Sequence, residues 1–162
     1  MKIITNAPIS RWEEYRDLRL EALEQVPQAF LDDPDKASAL PKEDWQRKIA
    51  NMYFAEIDGK LIGMVGAYQD DKTKLKHILN VVSVYVSPKY RGLGAAKALL
   101  SQVIADAKNN PNLKKLSLGV VTTQEPAKKL YEKLGFTVKG ELKYAVKVGE
   151  EYFDEYLMEL YL

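Results

Sequence analysis

The sequence predicts a single mixed α/β domain, and three observations carry that prediction. A β-branched run, "HILNVVSVYVSP" at 77–88, is followed by a helical repeat and then by a second strand, which makes a strand–helix–strand unit in mid-chain. A hairpin pattern precedes this unit, and a long strand pair closes the chain. Finally, 162 residues with 46% hydrophobic and 29% charged content suit one globular domain. A domain of that size buries roughly 70% of the surface its unfolded chain exposes.

The elements follow in order. "SRWEEYRDLRLEALEQVP" places Ser10 three residues before Glu13, the spacing of a capping box. Trp12, Tyr15, Leu18, Ala22, Leu23 and Val26 then recur at helical intervals until Pro27 stops the run. "LDDPDKASALPKED" reads as a polar loop leading to a short helix around Trp45 and Ile49. Trp12 and Trp45 are expected to anchor the core. "YFAEIDGKLIGMVGAY" reads as a hairpin whose Asp58-Gly59 supplies the positive φ angles of a two-residue turn. "DDKTKLKH" at 70–77 mixes charge signs and reads as an exposed loop, with His77 a solvated residue at the strand end.

The next strand, rich in valine and ended by Pro88, has the length and composition of one buried on both faces. Ala96, Leu99, Leu100, Val103, Ile104 and Ala107 form one helical face closed by "NNPN". "LKKLSLGVV" is a further strand. "EPAKKLYEKLG" is a helix with Pro126 near its start and Gly135 where a C′ residue belongs. The remainder reads as two antiparallel strands joined at Gly149.

Composition narrows the function. A net charge of +1 gives no bulk attraction to nucleic acid or an anionic membrane, so neither partner is expected. No apolar run approaches the length of a membrane span, and "MKIITNAPIS" is too short in apolar residues for a signal peptide; a cytoplasmic protein is expected. With no cysteine there are no disulfides, thiolate metal sites or cysteine nucleophile. One histidine gives a Ser-His-Asp nucleophile little support.

"VSPKYRGLGAAKALL" at 86–100 crowds Gly92, Gly94, Ala95 and Ala96 into the mouth of a helix. Close packing on a strand would explain this, and so would an anion on the helix N-terminus, where unpaired N–H donors and about half a positive charge await one. A Walker loop fails because Lys97 stands between alanines. A dinucleotide fingerprint lacks its third glycine and its acidic residue. Arg91, Gly94 and Ala96 fit the pattern Q/R-x-x-G-x-G/A, and the surrounding stretch resembles the acyl-CoA-binding motif of the GNAT superfamily of N-acetyltransferases. "QEPAKKLYEKLGF" at 124–136, the early "LRLEAL" and the closing "GEEYFDEYLMEL" extend the resemblance over most of the chain.

This resemblance implies one domain over residues 1–162, with a mixed, mostly antiparallel sheet flanked by helices and a splayed central strand pair. Acetyl-CoA would be the acetyl donor and an amine on a small molecule or peptide the acceptor. The backbone at Val84 and Val86 would pair with the pantetheine arm, and an N–H near Val86 would face the thioester oxygen. The amides of Arg91, Gly92, Leu93, Gly94, Ala95 and Ala96 would cradle the pyrophosphate. Gln124 stands where many relatives carry an asparagine that contacts the cofactor. Tyr131 would protonate the departing thiolate as general acid; its place in the stripe Ala127, Leu130, Tyr131, Leu134 also suits a core residue.

The base is open. An alkylammonium must lose a proton before it attacks, at a cost of ~4–5 kcal/mol at neutral pH. Some family members place a glutamate on the central strand for this, where the chain has Asn80, a candidate water holder. Ser83, Glu56 and Glu141 are further candidates, and the acids of "LDDPD" either line an amine entrance or solvate a loop. Direct transfer in a ternary complex is expected over an acyl-enzyme. The rival readings are a non-catalytic acyl-CoA sensor and a nucleotide-binding domain of another family. Strand edges near the C-terminus would permit a homodimer.

Overall fold

In the computed structural model, which describes residues 1–162, the hairpin forms as its turn chemistry requires. Asp58 and Gly59 take φ of 50° and 79°, which joins β2 (Met52–Ile57) to β3 (Lys60–Tyr68). β3 pairs with β4 (Ile78–Val86), after which the chain crosses over through helix α4 (Ala95–Lys108) to β5 (Lys115–Val121). That crossover makes β4–β5 the one parallel pair of the sheet, since a parallel return needs a connection of a dozen residues or more. Helix α5 (Glu125–Lys133) leads to the closing pair β6 (Thr137–Val148) and β7 (Glu151–Tyr161), joined through Gly149 at φ 58°. With a short edge strand β1 (Lys2–Ile4), the seven strands run β1-β2-β3-β4-β5-β7-β6.

Two cores cover the two faces of this sheet. Helices α4 and α5 pack over Leu99, Leu100, Val103, Leu116, Phe136 and Met158. On the other face, helix α1 (Trp12–Gln25) and helix α3 (Lys42–Lys48) close over Tyr15, Leu23, Trp45, Phe54, Met64 and Tyr85. Trp45 is fully buried, edge-on to Tyr15, whereas Trp12 is half-buried with the Arg16 guanidinium 5.2 Å from its ring.

Strand β4 carries the feature that matters for function. Gly66 opposes Val82 and Met64 opposes Tyr85, so Ser83 and Val84 together oppose the single residue between them on β3. This is a β-bulge, and Ser83 sits in it at φ 58°. The extra residue flips the alternation: Val81 feeds the α4 core while Tyr85, four residues on, feeds the α1 core. β4 and β5 stay paired only from Ile78–Lys115 to Asn80–Ser117 and then part.

Several sequence expectations change here. β4 is only partly buried, because from Val81 onward it keeps β3 on one side but has no strand on the β5 side, where it borders an opening. Ser10 caps nothing: residues Ile9–Arg11 form a 3-10 turn, and the helix start is held by the Arg11 guanidinium, which donates to Glu14, Glu56 and the Gly59 carbonyl. Part of the polar loop is a one-turn helix, α2 (Pro34–Ser38), whose Asp33 carboxylate accepts from the Lys36 N–H at 3.0 Å. β1, three residues long, is too short to carry an alternation pattern.

The end of α5 is a Schellman motif. Phe136 N donates to the Tyr131 carbonyl at 3.0 Å and Gly135 N to the Glu132 carbonyl at 3.0 Å, with Gly135 at φ 98°. An alanine there would need a left-handed conformation, and its Cβ would meet Leu160 Cδ1 at 3.3 Å. Gly135→Ala is therefore expected to lower stability by about 1–2 kcal/mol, measured by urea unfolding.

Candidate functional site

Where β4 and β5 part, a cavity of about 420 Å³ passes between them. Its lining is mostly apolar. One side is the edge of β4 from Val81 to Val86, and the other is the end of β5 from Gly119 to Val121. On one face of the sheet Ala96 of α4 and Ala127, Leu130 and Tyr131 of α5 close it. On the other, Val26, Ala29 and Phe30 come from the segment after α1, which turns at Pro27–Ala29. Arg91 and Glu155 are the only charged residues in the lining.

The small residues at the start of α4 do create an open helix end. Gly92 and Gly94 both have φ 80°, and an added Cβ at either would find no atom within 4 Å. No side chain caps the helix. Free amides, a left-handed turn and the positive end of a 14-residue helix suit a diphosphate. Gly92, Leu93 and Gly94 form the exposed rim, and Ala95 turns its methyl into the core. Arg91 folds back from this rim, its Nε donating to the Val86 carbonyl at 3.1 Å and its guanidinium lying 5.9 Å from the Tyr85 ring.

Tyr131 is held by its own helix end. The Schellman bond pins its carbonyl, and its ring packs edge-on against Phe136 at 6.0 Å. It is almost wholly buried, yet it lines the cavity, and its hydroxyl makes no hydrogen bond to another residue. Burial alone pushes its phenol well above the ordinary value, which keeps it protonated at neutral pH. Gln124 lies at the N-cap of α5 and also lines the cavity.

The bulge is anchored from α1. Arg19, 8% exposed, donates to Ser83 Oγ at 2.8 Å and to Asp32 Oδ2 at 2.7 Å, and its guanidinium stacks 4.7 Å from the Phe30 ring. A second anchor is Glu21, which accepts from the Tyr85 hydroxyl at 3.0 Å and from Ser87 Oγ. Two side chains of one helix thus hold β4 at its irregular segment, Ser83, and just beyond it, at Tyr85 and Ser87.

The structure brings Ser83, Val84, Val86, Arg91, Ala96, Gln124 and Tyr131 to one cavity. It does not bring Asn80 there, because that residue sits in the last paired register of β4 and β5. Glu56 is on β2 and bonded to Arg11, and Glu141 is bonded to Lys143; neither lines the cavity. Asp32 and Asp33 border a second cavity of about 340 Å³ against residues 145–149, next door through the shared Phe30, but Asp32 is tied to Arg19 and Asp33 caps α2. His77 is exposed ahead of β4. Sequence reading missed Arg19, which looks like any charged helix residue, and Glu155, one acid among several in the last hairpin. No local signal distinguishes either.

The acetyltransferase (GNAT) family matches residues 12–136. The L-amino acid N-acetyltransferase of Escherichia coli (strain K12) is 29% identical over 120 residues, covering 70% of this chain and 73% of its own. An acetyltransferase of the GNAT family from Streptococcus pneumoniae superposes with a TM-score of 0.87 at 25% identity, over 99% of this chain and 98% of its own. A Salmonella typhimurium protein solved with acetyl-CoA as its cofactor superposes at 0.82 with 18% identity, over 99% and 93%.

Burial raises the Asp32 carboxyl, but the hydrogen bond and charge of Arg19 outweigh it and hold it below the ordinary carboxylate value. A depressed native value means stability that is present above the unfolded value and lost as pH falls through the native one. Arg19→Met is expected to cost about 2 kcal/mol at pH 7, and the difference from wild type should shrink by pH 3, as read from urea unfolding at both.

Proposed function

The chain belongs to the acetyltransferase (GNAT) family and is an acetyl-CoA-dependent N-acetyltransferase; we propose that it hands the acetyl group directly to a primary amine of a small molecule or peptide, with both substrates bound in the cavity between β4 and β5. The observation that carries this reading is the continuity of that cavity. It runs from the helix end of α4, suited to a diphosphate, past the unpaired edge of β4 to Tyr131 and out towards the segment after α1. A thioester donor can lie along one part while an amine enters from the other, so no acyl-enzyme is needed.

The residues divide the work. Amides from Arg91 to Ala96 hold the pyrophosphate, and the Arg91 side chain adds the one positive charge of the cavity. The open edge of β4 at Val84 and Val86 pairs with the pantetheine arm as a strand would. A backbone N–H near Val86 stabilises the charge that develops on the thioester oxygen. Acetyl-CoA supplies an activated acyl group whose leaving group is a thiolate. Tyr131, kept protonated by burial, gives that thiolate a proton. The reading of a non-catalytic sensor finds no support among the relatives, which are N-acetyltransferases. No helix is long and apolar enough to cross a membrane.

Thiol release from acetyl-CoA across an amine panel tests the reading, and the absence of cysteine keeps the protein's own background at zero. Release that depends on an amine is expected; hydrolysis alone, or silence with every amine, would overturn it. Tyr131→Phe should lower kcat about 100-fold or more with the KM for acetyl-CoA nearly unchanged, as steady-state kinetics would show. Gly94→Val, by contrast, should weaken acetyl-CoA binding at least tenfold, measured by calorimetry, because it places a branched side chain where the backbone must meet the diphosphate.

A further inference from the structure

We propose that Glu155 of β7 is the acceptor-binding base of this enzyme: its carboxylate receives the substrate as an ammonium ion on the α1 side of the sheet and takes the proton that must leave before attack. The proposal rests on the acetyl-transfer reading of the same cavity and goes beyond it by assigning a residue and the charge of the acceptor.

Three observations converge. Glu155 is the only acid lining the cavity, beside Val26, Ala29 and Phe30. Its carboxylate forms no hydrogen bond or ion pair with any residue, whereas three other acids of the same hairpin are engaged, Glu141 and Asp154 with Lys143 and Glu159 with Lys115. An unpaired, partly buried carboxylate facing an apolar cavity is costly to the fold unless a cation meets it. The third observation is Gly119. A Cβ there would lie 2.5 to 2.7 Å from the Glu155 carboxylate atoms, so the carboxylate rests where any other residue on β5 would have its side chain. A glycine in a strand interior weakens the strand, and here it makes room for the acid.

The register places this acid opposite the proton donor. Val120 and Tyr156 pair and face the α4 and α5 core that holds Tyr131, so the next pair, Val121 and Glu155, faces the other side. The amine and the thiolate need protons moved in opposite directions, and the two groups reach the cavity from opposite faces. Burial alone pushes the Glu155 carboxyl up. The other ionisable groups of the cavity are Tyr131 from α5, Tyr85 from β4 and Arg91 from the turn before α4; on the β6 side Lys143 is held by Glu141 and Asp154, the turn Pro27–Ala29 brings none, and behind Ser83 and Phe30 the Arg19 guanidinium of α1 is paired with Asp32.

The substrate enters as R–NH3+, and one proton passes to a Glu155 oxygen. The freed lone pair forms the C–N bond at the thioester carbonyl carbon. The C–S bond then breaks with its electron pair on sulfur, which takes the Tyr131 phenolic proton; the second proton leaving nitrogen restores the phenol, and Glu155 returns its own to solvent. The sum is R–NH3+ and acetyl-CoA giving the amide, CoA thiol and one proton.

The test uses Glu155→Gln, with the surface variant Glu151→Gln as control and a panel of butylamine, phenethylamine and aminoacyl amides. In calorimetry on the CoA-saturated protein at pH 7, at least one of these ammonium ions should bind wild type at least tenfold more tightly than Glu155→Gln, while CoA affinity stays unchanged. In turnover, Glu155→Gln should lose at least 100-fold in kcat/KM for the amine at pH 7. It should also lose the acid limb of the pH profile and recover rate about tenfold per pH unit as free amine accumulates, which a merely structural role would not give. Gly119→Ala should raise the amine KM with the acetyl-CoA KM unchanged. Removing an unpaired charge, Glu155→Gln should melt no lower than wild type. Amine-dependent turnover that Glu155→Gln leaves within threefold of wild type overturns the proposal and leaves the transferase reading intact. Glu155-dependent ammonium binding without turnover does the reverse. Absence of Glu155-dependent binding across the panel overturns the proposal whatever the turnover.

Discussion

The rest of the site depends on one irregularity, the bulge at Ser83 that turns β4 away from β5. A regular parallel pair would continue past Asn80 and Ser117 and fill the sheet with ladder hydrogen bonds, leaving no space for a ligand. Inserting one residue leaves β3 its partner and gives the far edge of β4 to the cavity. Such a conformation persists only where its surroundings hold it, and α1 does so through Arg19 on Ser83 and Glu21 on Tyr85 and Ser87. Helix α1 is therefore as much a part of the site as the strands it packs on.

The two faces then acquire different chemistry. On the α4 and α5 face, small residues and a helix end favour an anion, and burial keeps a phenol neutral. On the α1 face the lining is apolar apart from Ser83 and Tyr85, whose hydroxyls α1 engages, and one unpaired carboxylate. Arg91 is the single cation of the lining and Glu155 its single anion, and inside low-dielectric walls such charges act strongly.

Rigidity and strain are distributed accordingly. Tyr131 is fixed by backbone bonds of a helix terminus and by the Phe136 ring rather than by a hydrogen bond to its hydroxyl, which stays uncommitted at the cavity. Glu155 is positioned by its register and by the gap at Gly119. In both cases the scaffold sets the location and the functional atoms stay uncommitted, an arrangement that accepts some instability in exchange for readiness.

The sequence by itself determined the element order from the β2–β3 hairpin onward, the Asp58-Gly59 and Gly149 turns, the Gly135 helix stop and the open end of α4, because each is a local matter of backbone sterics, periodicity or donor groups within a few residues. The motif around Arg91, Gly94 and Ala96 and that around Tyr131 made the family legible for the same reason. Only the tertiary structure decided which side chains meet. Arg19 and Ser83 are 64 residues apart, and the bulge they share has no signature in a valine-rich run. Gly119 and Glu155 are neighbours solely through the register of β5 on β7, so an acid that looks like one of several in "EEYFDEYLMEL" becomes the one carboxylate facing the cavity, while Asn80 lies within the closed ladder. Contacts of that kind are set by packing and pairing over long sequence separations, and no local preference encodes them.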